Sequence, residues 1–324
     1  MKKIVALIYG GDSSEAEVSV KSGKHMAGHI DREKYEVYEI MLKGHDWRVD
    51  TGGGEIVQID KSDFSFSLNG KKVVFDVALI MIHGTPGEDG LLQAYFEMVG
   101  VKYTTCSSSV SAITFNKYAC KCYLRDTGIN MAKEVFLHRG EIYSSSAIIE
   151  KLGLPVFVKP NDGGSSFGVT KVKKKEDLEA AIKAAFLEGE TILIEEYIAG
   201  REMTNGAFEA GGKIVKLPVT EIIPKNEFFD YEAKYLGASQ EICPAQIPGE
   251  LSERIIDITH KMYSYLGCKG VVRMDYIVRG SDIFFLEINT VPGMTEMSLV
   301  PQQVRATGMT IKDFLTNLLD SSLM

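Results

Sequence analysis

Residues 271–289 read VVRMDYIVRGSDIFFLEIN, which is two apolar runs joined by a polar Gly-Ser pair. This pattern predicts a β-hairpin with largely buried strands. Side chains alternate between the two faces of a strand, so Arg273 and Asp275 share one face, as do Glu287 and Asn289. Such polar side chains are costly on buried strands unless they are paired or bind a metal ion. The hairpin is therefore the most informative segment of the chain.

Two interpretations of these four side chains compete. A buried salt bridge between Arg273 and an acid explains one carboxylate, but it leaves a second carboxylate and an amide unexplained. Oxygen ligands of this kind suit Mg²⁺, which also takes substrate phosphates and water. All four side chains face one side only if Asp275 lies opposite or diagonal to Glu287. We therefore predict a metal site, with a loop of three or five residues centred near Ser281, or else a β-bulge.

A second segment has the composition of a phosphate-binding loop. Residues 159–168 read KPNDGGSSFG and lie between two predicted strands. Glycines let the backbone approach a ligand closely, and successive N–H groups in such a turn form a concave anion site. The alternative is an exposed hairpin turn. The segment is not a Walker loop, because no Gly-Lys-Ser/Thr sequence opens a helix here.

The order of predicted elements divides the chain into three parts. Strand and helix alternate in the first third, which predicts a parallel sheet with helices on its faces. A compact α+β unit follows, and the last third combines strands with a strong amphipathic helix at residues 251–266. Single strands are expected at residues 73–82 and 214–223. The stretch 224–240 has little periodicity, which is typical of a lid over a site.

Composition excludes several classes of function. The chain has 324 residues and a formal net charge of −8, which gives no general affinity for nucleic acid or acidic membranes. We expect no transmembrane helix, because no stretch approaches 18 apolar residues. Five cysteines with no metal or disulfide spacing favour a reducing cytoplasm. His25 and His29 could suit a metal by their spacing, but no third ligand is nearby.

Several motifs together resemble the D-alanine–D-alanine ligases of the ATP-grasp superfamily over nearly the whole chain. The matching segments are GGDSSEAEVS (10–19), HGTPGEDG (83–90), Asn116-Lys117, the loop from Val158 to Gly168, DYEAKY (230–235), Arg273-x-Asp275, and EINTVPGMT (287–295) with SLVP (298–301). The resemblance implies a Rossmann-like (preATP-grasp) domain at residues 1–115, followed by a two-part ATP-grasp fold. Its parts would be a central α+β domain at 116–197 and a C-terminal domain with the metal site and lid at 198–324.

The resemblance also implies roles for individual residues. The ATP-binding set would be Lys117, Lys159, Ser166, Glu195, Glu196, Tyr197, Ile198, Glu202 and Lys234. Two Mg²⁺ or Mn²⁺ ions would be held by Asp275, Glu287 and Asn289. The catalytic set would be Glu15, Ser165, Tyr235, Arg273 and Gly293, and substrate would further contact Val18, His83, Ser298 and Leu299. Departures are small: Asn116 stands where many members have Asp, and Glu196 where a lysine is common.

The implied reaction joins two D-alanines through an acylphosphate, for peptidoglycan synthesis, with a homodimer as the family expectation. The lid tyrosine, Tyr235, favours D-alanine as the second substrate, with D-serine next. Another ATP-grasp ligase would keep Lys117 and the metal ligands but lose Glu15 and Tyr235. A nucleotide-binding regulator should have lost Arg273 or a metal ligand, and a dehydrogenase needs a Gly-x-Gly-x-x-Gly that is absent from the sequence.

Overall fold

The first sheet is built mainly from the N-terminal third of the chain. The computed structural model describes residues 2–51, 55–164, 168–224 and 239–324. The sheet has the order β4-β3-β2-β1-β7-β8, and β1, β2, β7 and β8 are parallel. Its strands are β1 Lys3–Gly10, β2 Tyr35–Lys43, β3 Asp46–Asp50, β4 Ile56–Gln58, β7 Val77–Ile80 and β8 Lys102–Tyr103, with the separate hairpin β5 Ser65–Leu68 and β6 Lys71–Val74. The expected parallel sheet is confirmed, with two antiparallel strands added at one edge.

Two stretches predicted as single strands are each divided. The prediction for residues 73–82 was wrong, because β6 ends at Val74 and β7 begins at Val77. Between them the Asp76 carboxylate accepts the N–H of Ile4 at 2.8 Å, which turns the chain toward β1. The stretch 214–223 forms β15 Lys213–Lys216 and β16 Thr220–Pro224. Pro218 lies between them, and proline has no N–H to give to a sheet.

The middle sheet is a small antiparallel unit with its own core. Its order is β10-β13-β11-β12, from β10 Glu134–His138, β11 Val156–Pro160, β12 Thr170–Val172 and β13 Thr191–Glu196. Helices α5 Ser145–Leu152 and α6 Leu178–Glu188 cover it. Alternate residues of β11, such as Val156 and Val158, are fully buried, so its other face is free to present Lys159.

The third sheet has the order β17-β16-β14-β18-β19-β9, with β15 paired to β14. Its further strands are β9 Asn130–Met131, β14 Arg201–Ala210, β17 Ser239–Ile242, β18 Val271–Arg279 and β19 Asp282–Asn289. The remaining helices are α1 Ala16–Ala27, α2 Leu91–Val99, α3 Ser108–Phe115, α4 Lys117–Leu124, α7 Gly249–Leu266, α8 Leu299–Ala306 and α9 Ile311–Leu323, with 3₁₀ turns at Arg125–Thr127 and Lys175–Asp177. Residues 225–238, most of the predicted lid, lie outside the described residues.

The predicted hairpin of residues 271–289 is present, but its turn differs from the expected one. Arg279 pairs with Asp282, so the turn has two residues, and the predicted loop of three or five residues was wrong. The register instead shifts between Asp275 and Tyr276, where Leu286 is the extra residue. This β-bulge, the alternative considered for the sequence, brings Asp275 opposite Glu287 and Arg273 opposite Asn289.

A shared core joins the two ends of the chain. Apolar residues of β1 and β7, such as Leu7 and Leu79, pack in one cluster with Phe208 of β14 and with Phe314 and Leu319 of α9. Within the described residues no helix is long and apolar enough to cross a membrane. All five cysteines are free thiols.

Candidate active site

A cavity of about 400 Å³ lies where the three sheets approach each other. Its wall brings together residues that are far apart in the chain. The sequence-predicted residues that line it are Glu15, Val18, His83, Lys117, Arg273, Glu287, Asn289, Gly293, Ser298 and Leu299. Predicted substrate, phosphate and metal residues therefore share one space.

The hairpin contributes a tightly bonded polar cluster to this wall. Arg273 donates two hydrogen bonds to the Asp275 carboxylate, at 2.9 and 2.8 Å. Thr204 donates a third at 2.6 Å, and the Asn289 amide a fourth at 3.2 Å. The salt bridge considered as an alternative therefore exists, but it accounts for Asp275 alone. Glu287 and Asn289 extend past it into the cavity.

The oxygens of this cluster fit a hard divalent cation. Glu287 and Asn289 line the cavity, and Asp275 lies opposite Glu287 in the hairpin but is not itself a lining residue. Two carboxylates and one amide are ligands that Mg²⁺ accepts. Among the described residues no three His, Cys, Asp or Glu side chains form a metal-binding group, so a cation here would depend on the amide or on substrate oxygens. Lys117 lies 3.9 Å from Glu287, which keeps positive charge beside the acid.

Helix α4 and the glycine loop form the next part of the wall. The side chain of Asn116 caps α4 by accepting the N–H of Ala119 at 2.8 Å. The following residue, Lys117, donates to the carbonyl of Gly163 at 2.6 Å, so the loop and the helix are tied together. The substitution of Asn116 for the more common Asp keeps this capping function. Ser165 and Ser166 lie outside the described residues.

The N-terminal sheet delivers Glu15 to the opposite side of the cavity. Glu15 directly precedes α1 and is only 7% exposed. A Cβ atom at Gly164 would lie 2.6 Å from the Glu15 carboxylate, so the glycine loop touches this acid. Glycine at residue 164 thus leaves room for the Glu15 carboxylate, while its backbone conformation is open to other residues.

His83 links three segments around the cavity. Its Nδ1 bonds the Val291 carbonyl at 2.7 Å and its Nε2 bonds the Ser22 hydroxyl at 3.0 Å. Ser22 in turn accepts the N–H of Met294 at 3.1 Å. Burial lowers the pKa of His83 and outweighs the opposite effects of Glu15 and the Val291 carbonyl, so the neutral ring is favoured. Since both ring nitrogens bond protein atoms, His83 contributes a fixed wall next to Gly293.

The start of α8 closes the cavity. Ser298 is its N-cap residue, and Leu299 is its first helical residue. Ser298 accepts the N–H of Thr295 at 2.9 Å, which orders the turn that follows Gly293. Free N–H groups at a helix N-terminus attract anions. This end of the cavity therefore has the chemistry of a carboxylate site.

The remaining predicted nucleotide residues lie on strands β11, β13 and β14 or directly after β13. Lys159 forms an ion pair with Glu195, which also pairs with Lys121. Glu196 accepts the N–H of Lys133 at 2.8 Å, Ile198 is buried, and Tyr197 is 37% exposed, with the Lys171 ammonium 3.9 Å from its ring centre. Glu202 lies on β14, which belongs to the third sheet. Lys234 and Tyr235 lie outside the described residues.

Sequence reasoning missed three residues of this region. Thr204 and Lys121 gave no signal, because only the fold brings them to Asp275 and Glu195.

Glu88 belongs to the quoted HGTPGEDG motif, yet no role was assigned to it. Its carboxylate accepts the N–H groups of Gly84 and Thr290, each at 3.1 Å, and so ties the motif to the hairpin exit. Burial and then the nearby Glu15 raise the pKa of Glu88 to about 7.

Comparisons with known proteins match nearly the whole chain. Models for the D-ala D-ala ligase N-terminus and C-terminus match residues 4–106 and 123–320. Proteins named D-alanine–D-alanine ligase from Phocaeicola vulgatus and Parabacteroides distasonis are 48% and 49% identical, over 99% and 100% of this chain and 99% and 98% of theirs.

Solved structures give the same result. The VanG D-Ala:D-Ser ligase from Enterococcus faecalis has a TM-score of 0.87 at 30% identity, over 99% of both chains. The D-alanine–D-alanine ligase from Bacillus anthracis complexed with ATP has a TM-score of 0.80 at 30% identity, over 99% of this chain and 97% of that one. The expected ATP-grasp architecture is confirmed by these matches, and the chain belongs to the D-alanine–D-alanine ligase family.

Proposed function

We propose that this protein is an ATP- and Mg²⁺-dependent ligase that joins two D-alanines into D-alanyl-D-alanine for peptidoglycan of the bacterial cell wall. One observation carries the proposal. Glu15, the metal-type oxygens of Glu287 and Asn289, the Arg273 guanidinium and the anion-binding start of α8 all face one cavity. A homodimer and a cytoplasmic location are family expectations that belong to the same proposal.

In this proposal ATP lies between the middle and C-terminal sheets. Lys117 and Lys159 contact the phosphates, and the loop around Gly163 and Ser166 covers them. The segment Glu195–Ile198 supplies backbone hydrogen bonds to adenine, Glu202 contacts the ribose, and Lys234 completes the set. The hydrogen bond from Lys117 to the Gly163 carbonyl supports this arrangement, because it already joins the phosphate lysine to the loop.

Asp275, Glu287 and Asn289 would hold two divalent cations. When bound, such ions neutralise phosphate charge and orient the transferred group. The fit of carboxylate and amide oxygens at the cavity wall supports this role. Since Arg273 and Thr204 already bond Asp275, that carboxylate would share its lone pairs between them and a cation.

The two amino acids would occupy the part of the cavity nearest α1 and α8. Glu15 binds the ammonium group of the first D-alanine beside Val18 and His83. Ser298 and Leu299 bind the carboxylate of the second, where the helix N-terminus favours negative charge. Arg273 and the N–H of Gly293 stabilise the tetrahedral oxyanion between them. Ser165 and Tyr235 would join Glu15 in positioning the first substrate.

The reaction then proceeds in two displacements. The carboxylate of the first D-alanine attacks the γ-phosphorus of ATP, and ADP leaves, which gives an acylphosphate. The amine of the second D-alanine attacks the acyl carbon, and the tetrahedral species expels phosphate as the amide forms. The cavity walls keep water from the acylphosphate, which water would hydrolyse.

A substrate comparison tests this proposal. Phosphate release from ATP is measured with D-alanine, D-serine, D-lactate or L-alanine, and products are identified by mass spectrometry. We expect D-alanine to give the fastest release and D-alanyl-D-alanine as the product. Release no faster than with buffer would refute the assignment, and a mixed D-alanyl-D-serine product at equal rate would change the second substrate.

A further inference from the structure

Four charged side chains form a continuous series of ion pairs near the proposed nucleotide site, and we call this series the ion-pair chain. Lys121 of α4 pairs with Glu134 of β10 at 2.9 Å and with Glu195 of β13. Glu195 pairs through its other oxygen with Lys159 of β11. Lys121 is only 2% exposed and Glu195 only 6%. Two positive and two negative charges therefore balance in a largely buried site.

The two lysines of the ion-pair chain differ in their exposure. Lys159 keeps 13% of its side chain exposed and lies directly before the glycine loop, whereas Lys121 is too deeply buried to reach a ligand. Glu195 lies between them, with one oxygen bonded to each ammonium group. Burial alone would raise the pKa of Glu195, but Lys159 and Lys121 overcome this and lower it to about 2. The middle carboxylate is thus ionised and held from both sides.

We propose that Lys121 is a positioning residue for nucleotide binding, which fixes Glu195 and, through Glu195, the ammonium group of Lys159. The inference rests on the proposed function, since it takes Lys159 as a phosphate contact. A long lysine side chain with a single partner has many rotamers of similar energy. A partner that is itself clamped removes that freedom before the nucleotide arrives, so less entropy is lost on binding.

The loss of Lys121 would disturb the site in a specific way. Glu134 and Glu195 are directly opposed partners on β10 and β13. Without an ammonium group between them, two carboxylates on adjacent strands repel each other. Glu195 would then turn toward Lys159, and Lys159 would leave its present position. Lys117 is held separately by Gly163, so the metal side of the cavity should be unaffected.

The test compares Lys121→Met with the double variant Lys121→Met/Glu134→Gln, which removes the positive charge together with one negative charge and so protects the fold. ADP affinity is measured by calorimetry, and KM for ATP, KM for D-alanine and kcat by phosphate release. We expect Lys121→Met to weaken ADP binding and raise the KM for ATP by about 10–100-fold, as loss of a supporting contact does elsewhere. The double variant lacks the repulsion but still lacks the partner that holds Glu195, so it should show a smaller loss in the same direction. The KM for D-alanine should change less than about twofold. Lys121→Arg should restore part of the nucleotide affinity.

Two controls separate positioning from general stability. Lys216→Met removes an exposed pair with Glu253 and should leave every constant unchanged. In a Glu195→Gln background, Lys121→Met should add less than about a twofold loss, because the two residues act through one path. Equal effects on ATP and D-alanine, or a lower melting temperature with normal ADP affinity, would show a purely structural role and overturn the proposal. Weaker ADP binding in a protein without ligase activity would support it while refuting the proposed function.

Discussion

At the scale of single residues, Glu287 is the side chain on which the metal assignment depends most. It is 29% exposed, lines the cavity and lies opposite Asp275. Glu287→Gln keeps its size and removes one charge. Because changes in supporting contacts of metal sites cost about 10–100-fold, loss of a direct ligand should lower turnover by at least about 100-fold.

The control for this variant is its folding. Glu287 is part-exposed and its partner Lys117 lies 3.9 Å away, so the melting temperature should change by no more than a few degrees. Near-normal turnover in folded Glu287→Gln would count strongly against a cation at this position.

Glu195 leads to a prediction about acid stability. The pKa of this carboxyl falls from an ordinary 4.5 to about 2 in the folded protein. A lowered folded-state pKa adds stability above pH 4.5, which is lost as the pH falls toward 2. Between pH 5 and pH 3 this group should cost the protein roughly 2 kcal/mol of unfolding free energy. Urea unfolding at both pH values should therefore show a smaller loss for Glu195→Gln, and an identical loss in both proteins would contradict the ion-pair chain.

Sequence reasoning identified residues whose chemistry follows from strand alternation, such as Asp275, Glu287 and Asn289. It could not find partners that depend on distant segments. Lys121 meets Glu195 across 74 positions, and His83 meets Val291 across 208. Lysine and histidine side chains occur in many surroundings. Only the fold shows that Lys121 pairs with two glutamates and that both ring nitrogens of His83 form hydrogen bonds.

At the scale of elements, the bulge in the hairpin gives a sharp test of the register. Leu286 is the unpaired extra residue, so deletion of Leu286 should leave Glu287 opposite Asp275. Turnover should then stay within about 100-fold of normal, the cost of an ångström-scale misplacement. Deletion of Ile288, a buried and paired residue, should instead turn Asn289 to the other face and abolish turnover. Loss of activity in both folded variants would contradict this register.

The glycine loop supports a second test at this scale. An alanine methyl at residue 164 would lie 2.6 Å from the Glu15 carboxylate and would push it aside. Gly164→Ala should therefore lower kcat/KM for D-alanine by up to about 100-fold, since ångström-scale misplacement has such effects. Stability should be unchanged, because the end of a glutamate side chain moves easily. Gly249→Ala, where the added methyl meets nothing within 4 Å, is the matched control. Equal activities would mean that Glu15 does not hold substrate.

The hairpin also shows what strand alternation could not predict, which is the type of turn. Alternation predicted which side chains share a face, and parity required either an odd loop or a bulge. The choice between them depends on how Tyr276 and Phe285 pack in the core below, where both are fully or almost fully buried. A turn of Gly280 and Ser281 allows the tight connection, and the bulge then corrects the register.

At the scale of the whole molecule, a ligand in the cavity between the three sheets should stabilise the folded protein. A ligand that binds only the folded state stabilises it by about 2.7 kcal/mol at 100 times its Kd. ADP with Mg²⁺ should therefore raise the melting temperature. EDTA should remove most of the increase, because without a cation the Glu287 carboxylate repels the phosphates and Asn289 has no ion to hold. An ADP effect that EDTA leaves unchanged would argue against a cation-dependent site.

The order of the sheets could be predicted from alternating patterns, but the core that joins both ends could not. Leu7 and Leu79 belong to strands of the first sheet, and their neighbours Phe314 and Leu319 lie on α9. No local periodicity tells a helix which distant sheet it will cover. The predicted domain boundaries at residues 115 and 197 stay predictions, although β9 at Asn130–Met131 pairs with β19 of the last sheet.

That shared core has a consequence for synthesis on the ribosome. The strand containing Leu79 emerges more than two hundred residues before Leu319. At about 5–20 residues per second, roughly 10 to 50 s pass before α9 can cover it. During that time the nascent first sheet exposes apolar surface, so it is the segment a chaperone would be expected to meet.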